Sequence, residues 1–214
     1  MIHGAPQVAR RRVGVSHRLL FAAAWCATGA AASPLHGQDA GTAPTAAPYG
    51  AVTVALSGVR LASAGRLEDY WDAGNGIRLD IHMPFHVGEA GITATTLRHE
   101  PLGPGQPGFR AIITGASWRF PLRRSRRIRP ALSLEAGNYM TIFDGEQPKG
   151  LGKESEIYIG GGGAIDIALS RGTSLVLGAE ARHVFTSTPV RLGALHAGLA
   201  YTFASPHWLR GVVE

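Results

Sequence analysis

Between residues 49 and 204 apolar side chains alternate with polar or small ones at a period of two, in runs of about ten residues broken by glycine, proline and charge. The clearest run is LGALHAGLAYTF, Leu192 to Phe203. Leu195, Ala197, Leu199, Tyr201 and Phe203 fall on one face of an extended strand, and Ala194, His196, Gly198, Ala200 and Thr202 on the other. The pattern predicts eight strands: Tyr49 to Ala62, Gly76 to Phe85, Gly91 to His99, Phe109 to Leu122, Ile128 to Ile142, Glu154 to Ser170, Thr173 to Phe185 and Leu192 to Ala204. No segment sustains a helical period. In the second, Ile77, Leu79, Ile81 and Met83 alternate with Arg78, Asp80 and His82; the sixth and seventh set Ile157, Ile159, Ile165, Leu175 and Leu177 against Glu156, Tyr158, Asp166, Glu180 and Arg182. One face is apolar and the other carries charge at mid-strand. The third strand leaves its inward face open, because Ile92, Ala94 and Thr96 differ little from Thr93, Thr95 and Leu97.

The connections alternate in length. The first, third, fifth and seventh are mostly long and rich in Gly, Pro and charge, while HVGEA, RRSRR and RG are short. An even number of strands with this asymmetry predicts an up-and-down antiparallel barrel with both termini at the short-turn end. Two architectures use such strands. In a soluble barrel of the lipocalin type the apolar face points inward, and in a membrane barrel outward. The charged face also carries Ala55, Ser57, Gly115, Ser117, Gly137, Gly178 and Gly198, which suits a crowded lumen better than a wet surface, and lysine occurs only at Lys149 and Lys153, both in a predicted loop.

The last strand, with its apolar outer face and terminal Tyr201 and Phe203, resembles the closing strand of the small bacterial outer-membrane barrels typified by the outer membrane protein A transmembrane domain and outer membrane protein X. The resemblance implies an all-β, eight-stranded antiparallel transmembrane barrel over residues 49–204, in the outer membrane, with periplasmic termini and a monomeric state. It implies as partners outer-membrane lipid and lipopolysaccharide, and the assembly machinery that reads the last strand. Here the chain runs on through ASPHWLRGVVE, a tail at 205–214.

An eight-stranded barrel is just wide enough for its own side chains to fill it. Arg78, Asp80, His82, Arg119, Glu135, Asp166, Glu180, Arg182 and His196 are therefore expected to form a paired polar network there, with Ser57, Ser117 and Tyr158 completing its hydrogen bonds. The functional alternative is a gate whose pairs exchange partners. Tyr49, Phe85, Trp118, Phe120, Tyr201 and Phe203 fall at the periplasmic ends of their strands, as an aromatic girdle would, with Phe109, Phe143 and Phe185 as candidates for the opposite rim. Tyr70 and Trp71, in the acidic first loop, are the candidate recognition residues. The expected function is structural, or adhesion and recognition carried by the loops.

Composition removes other classes. Residues 1–38 read as a secretory signal: Arg10, Arg11, Arg12 and Arg18, an apolar stretch from Leu19 to Ala32, then small residues for cleavage. Residues 39–48 read as a flexible lead-in. The net charge of +6 arises from 21 basic and 15 acidic residues, and removing the four signal arginines leaves +2, which gives no ground for nucleic-acid binding. Cys26, the single cysteine, lies in the signal, and the bulky Trp25 before it argues against a lipid anchor. The remaining chain has no disulfide and no thiol nucleophile. Of nine histidines three lie in or beside the signal and the rest lack metal-site spacing, so neither metal nor cofactor is expected. Gly160 to Gly163 lie within a strand with no Lys-Ser or Lys-Thr after them, which reads as curvature or close packing. A lipid A-modifying enzyme is the catalytic alternative, since the deacylase among these barrels carries a His-x-Ser pair. None occurs here, and His183 with Ser187 and Glu180 is the nearest substitute, so no enzymatic activity is expected. The basic turn Arg123, Arg124, Arg126, Arg127 and Arg129 fits either anionic headgroups or a solvated turn that resists strand slippage.

Overall fold

The structure, a computed structural model, describes residues 49–64, 66–122, 127–145, 154–187 and 189–206, and the side chains of 62–64 and 66 are left aside. The predicted signal and lead-in fall outside the described residues, as do 207–214 of the tail and Arg123, Arg124 and Arg126. Eight strands are present: β1 (Ala51–Ala64), β2 (Asn75–Pro84), β3 (Glu89–His99), β4 (Phe109–Pro121), β5 (Ile128–Phe143), β6 (Glu154–Ala168), β7 (Thr173–Val184) and β8 (Val190–Ala204). One 3-10 turn, Arg66–Asp69, follows β1. Each strand pairs antiparallel with the next and β8 returns to β1, which closes the barrel and leaves no edge.

All eight predicted segments appear, with shifted ends. β1 starts at Ala51 because Tyr49 takes a positive φ of 60°, and its N–H donates to the Pro84 carbonyl at 2.9 Å. β6 stops at Ala168, where Leu169 and Ser170 turn back onto the Thr173 carbonyl. β8 begins two residues earlier than predicted, because Val190 pairs with Val184.

The registers define a spiral. Starting at Val54, the partners run Ile81, Ile92, Ala116, Ala136, Ile159, His183 and Arg191, and return to β1 at Ala64, ten residues beyond the start. Eight strands with that offset tilt by about 40° and enclose a barrel of about 8 Å backbone radius. Each register partner therefore stands about 3 Å nearer the end that carries the long connections, here called the loop end.

Strand parity and this tilt sort the side chains. Leu56, Ile77, Ile92, Leu134, Ile157 and Leu195 point outward and are each more than half exposed. Thr93, Thr95, Leu97 and His99 of β3 are buried on the inside, which settles the face that the sequence leaves open. The lumen departs from the expected polar packing. Its loop-end half is filled by Val59, Leu61, Leu97, Phe109, Ile113, Tyr139, Tyr158, Val184 and Leu192, an apolar core. Charge occupies the middle and the termini side, and Ala55, Val176 and Ala200 form a small apolar cluster there. Phe109 belongs to this core and is 3% exposed, so it is not a rim residue; it shares its face with Ala111 and Ile113.

Candidate functional site

At mid-lumen five charges from three strands meet. β2 supplies Arg78 and Asp80, two residues apart on one face, so the Arg78 Nε–H donates to both Asp80 oxygens, at 2.9 and 2.8 Å. Its Nη1 donates to Glu180 Oε2 of β7 at 2.6 Å, and its Nη2 to Glu135 Oε1 of β5. Arg182, two residues after Glu180, pairs through Nη2 with Glu180 Oε1 at 2.6 Å and with Glu135 Oε2 at 3.3 Å. The five side chains are nearly inaccessible. The planar guanidinium of Arg78 uses its fork of donors on three carboxylates at once, which no lysine could do. The cluster holds three carboxylates and two guanidiniums, a formal charge of −1. Arg182 also lies 5.6 Å from the centre of the Tyr158 ring in the apolar core.

The network expected as one unit is in fact two. Arg119 and Asp166 form a separate pair at 2.7 Å nearer the termini, with Glu89 3.6 Å from the same guanidinium. His82 Nε2 lies 3.2 Å from the Ser117 hydroxyl. His196 faces the lumen over Gly178, where an added Cβ would stand 2.1 Å from its Nε2, so the glycine makes room for the imidazole. Ser57 Oγ, Tyr158 Oη and His196 Nδ1 are buried without hydrogen-bond partners, contrary to the role expected for them. The remaining space among these groups amounts to about 40 Å³, and on the termini side the lumen widens into a cup of about 810 Å³.

At the loop end the first connection folds inward. Trp71 donates its indole N–H to the Pro107 carbonyl at 2.9 Å, pairs with Pro101 through the backbone, and meets Phe109 edge-on at 5.2 Å. Of the two candidate recognition residues, Tyr70 is exposed and Trp71 is half-buried against the barrel opening. Phe109 and Phe143 lie 5.7 Å apart, and His99 stacks on Phe109 at 4.4 Å with its Nδ1 3.1 Å from the Asp72 carbonyl oxygen.

Outside, Tyr49, Phe85, Trp118 and Phe120 make a run of ring contacts at 5.7, 5.0 and 6.4 Å, and Tyr201 and Phe203 stack at 6.1 Å. All six sit toward the termini. The outward-facing strand arginines Arg60, Arg98, Arg110 and Arg191, with His183 beside them, lie toward the loop end, about 25 Å along the axis from the aromatics. Arg98 binds Glu100 at 2.7 Å, whereas among the described residues no carboxylate pairs with Arg60, Arg110 or Arg191. Sequence reading missed this belt, because strand parity turns each residue outward but only the register sets them at one height.

Catalytic geometry does not assemble at the nearest sequence candidate. His183 points outward against Phe185 at 4.8 Å, while the Glu180 carboxylate is engaged inside by Arg78 and Arg182. Among the described residues no group of His, Cys, Asp and Glu side chains is arranged to hold a metal ion.

Two solved structures show where this architecture recurs. Neisserial surface protein A superposes with a TM-score of 0.53 over 72% of this chain and 96% of its own, at 17% identity. The outer membrane protein OprG from Pseudomonas aeruginosa gives 0.51 over 73% and 97%, at 8% identity. Both are small outer-membrane barrels, so the fold is the closed eight-stranded up-and-down barrel of that class. No protein-family model and no curated protein matches the sequence.

Proposed function

We propose that the protein is a monomeric outer-membrane barrel, sealed at mid-lumen by its ion-pair cluster, whose loops carry a structural or recognition role. The observation that carries this reading is the inversion of polarity: aliphatic side chains on every strand face outward while Arg78, Asp80, Glu135, Asp166 and Arg182 are buried. A water-soluble barrel would leave the first group solvated and the second desolvated, both at a cost, whereas lipid reverses the first and ion pairing offsets the second. A lone basic residue on a lipid-facing surface costs about 2–4 kcal/mol at midplane and little near the interface, and the outward cations avoid the middle of the band. The distance from the aromatics to the cations matches the apolar height of such barrels. In this reading the termini are periplasmic, the long connections extracellular, and Phe203 on the last strand is what the assembly machinery reads. The cation belt faces the phosphates of outer-leaflet lipopolysaccharide.

The test is fractionation of cells producing the full chain, followed by electrophoresis with and without boiling. The expected result is a band in the outer-membrane fraction whose mobility changes on heating. A soluble periplasmic protein with no such shift would overturn the assignment and make the outward face a contact surface for something other than lipid.

A further inference from the structure

The loop end of the barrel contains a cavity of about 150 Å³ that the sealed-barrel reading leaves without a role. Leu67 and Trp71 of the first connection roof it, Phe109 and Phe143 form its aromatic wall, and Val184 and Val190 close the far side. The aromatic walls are fixed in place: the Trp71 indole is tethered to Pro107 O and set edge-on to Phe109, whose other side is covered by His99. An apolar cavity of about the same volume, engineered into an unrelated protein, stays dry and takes up benzene, so the space suits one six-membered aromatic ring.

Polar groups of the cavity are Tyr139, Thr141, Glu154 and Thr186. Thr141 and Glu154 are register partners across β5 and β6, and both line it. Glu154 is exposed, and Glu156 stands next on the same face of β6. Among the described residues no cation pairs with either carboxylate, and Glu68 and Asp69 add negative charge beside the roof. An aromatic slot with a carboxylate at its lip that no described cation engages attracts a ring that carries a positive charge on a short tether. An anionic ring of equal size is rejected by the same groups.

The geometry points to the barrel opening as a binding site for a small arylalkylamine, its ring in the cavity and its ammonium against Glu154. This site goes beyond the sealed-barrel reading and does not depend on it, because it stands on the loop-end side of the charge cluster.

The experiment titrates the full-length barrel in detergent with phenethylamine, and with phenylacetate as the anionic ring of the same size. Calorimetry and the Trp71 indole N–H resonance report binding, with empty micelles as the blank. Saturable binding of phenethylamine at least tenfold tighter than phenylacetate is expected. Glu154→Gln should narrow that ratio to threefold or less, and Val190→Phe, which fills the cavity from its rim, should abolish binding. Val184→Phe fills it from below and serves if the first filling variant loses the heat shift. The proposal fails if heat-shifting protein binds neither compound, if it binds both equally, or if binding survives a filled cavity. A failure of the membrane-barrel reading would show instead in the heat shift and fractionation.

Discussion

Three carboxylates converge on Arg78, and its removal would leave Asp80, Glu135 and Glu180 with one guanidinium, that of Arg182, for company. Stranding buried charge in this way costs about 3–5 kcal/mol, so Arg78→Met is expected to lower the urea midpoint of the folded barrel substantially. Glu180→Gln should behave in the opposite sense. It keeps shape and an acceptor oxygen while bringing the cluster from −1 to neutral, and its midpoint should fall within about 1 kcal/mol of the parent or above it. Equal losses from both variants would mean that packing, not charge balance, governs the cluster. Parity along each strand is readable in the sequence and sets Arg78, Glu135 and Glu180 on like faces. Partner choice is not readable, because it depends on the accumulated register of all eight ladders. That offset brings Asp166 to Arg119 and keeps it out of the central cluster.

Among the strands, β6 shows how parity divides one run of glycines into two kinds. A Cβ at Gly162 would stand 2.4 Å from the Ala179 carbonyl oxygen and 2.9 Å from Glu180 Cα, backbone that cannot yield. At the next residue, Gly163, the nearest atoms are Ala131 O at 3.7 Å and Leu132 Cδ2 at 4.0 Å, ordinary contact distances. Gly162→Ala is expected to cost about 1–3 kcal/mol by overpacking. Gly163→Ala should stabilise by about 0.4–1 kcal/mol through a less flexible unfolded chain, and paired urea titrations would compare the two. The sequence reads this run as curvature or close packing, without saying which members are crowded. The strands themselves were legible because alternation is strong at mid-strand. Legibility fails at the loop end, where the inner face turns apolar and no longer contrasts with the outer face at mid-strand: Phe109 reads as a rim residue there but packs inward with Tyr139 and Leu192.

For the molecule as a whole, the outward cations bear on which lipid surrounds it. Arg60, Arg110 and Arg191 lie on three different strands and have no acidic partner among the described residues, so phosphate is free to engage them. Replacing all three by alanine is expected to reduce the lipopolysaccharide that copurifies with the barrel several-fold while leaving the heat shift unchanged, with silver staining of the purified protein as the readout. Undiminished lipopolysaccharide would remove the belt from the reading. The tilt that aligns these residues cannot be seen in any single strand, which is why a sequence pattern that gives the fold does not give the belt.

The layered lumen has one more consequence. A water column entering from the cup on the termini side meets the ion pairs first and, beyond them, a stretch walled by Leu61, Leu97, Ile113 and Leu192 that offers an ion nothing to replace its hydration shell. The two barriers stand in series and fail for different reasons, one by exchange of electrostatic partners and the other by wetting. On the sealed-lumen reading, loosening Arg78 is expected to flood the lower chamber and leave the upper one dry, so Arg78→Met should leave single-channel conductance in planar bilayers unchanged.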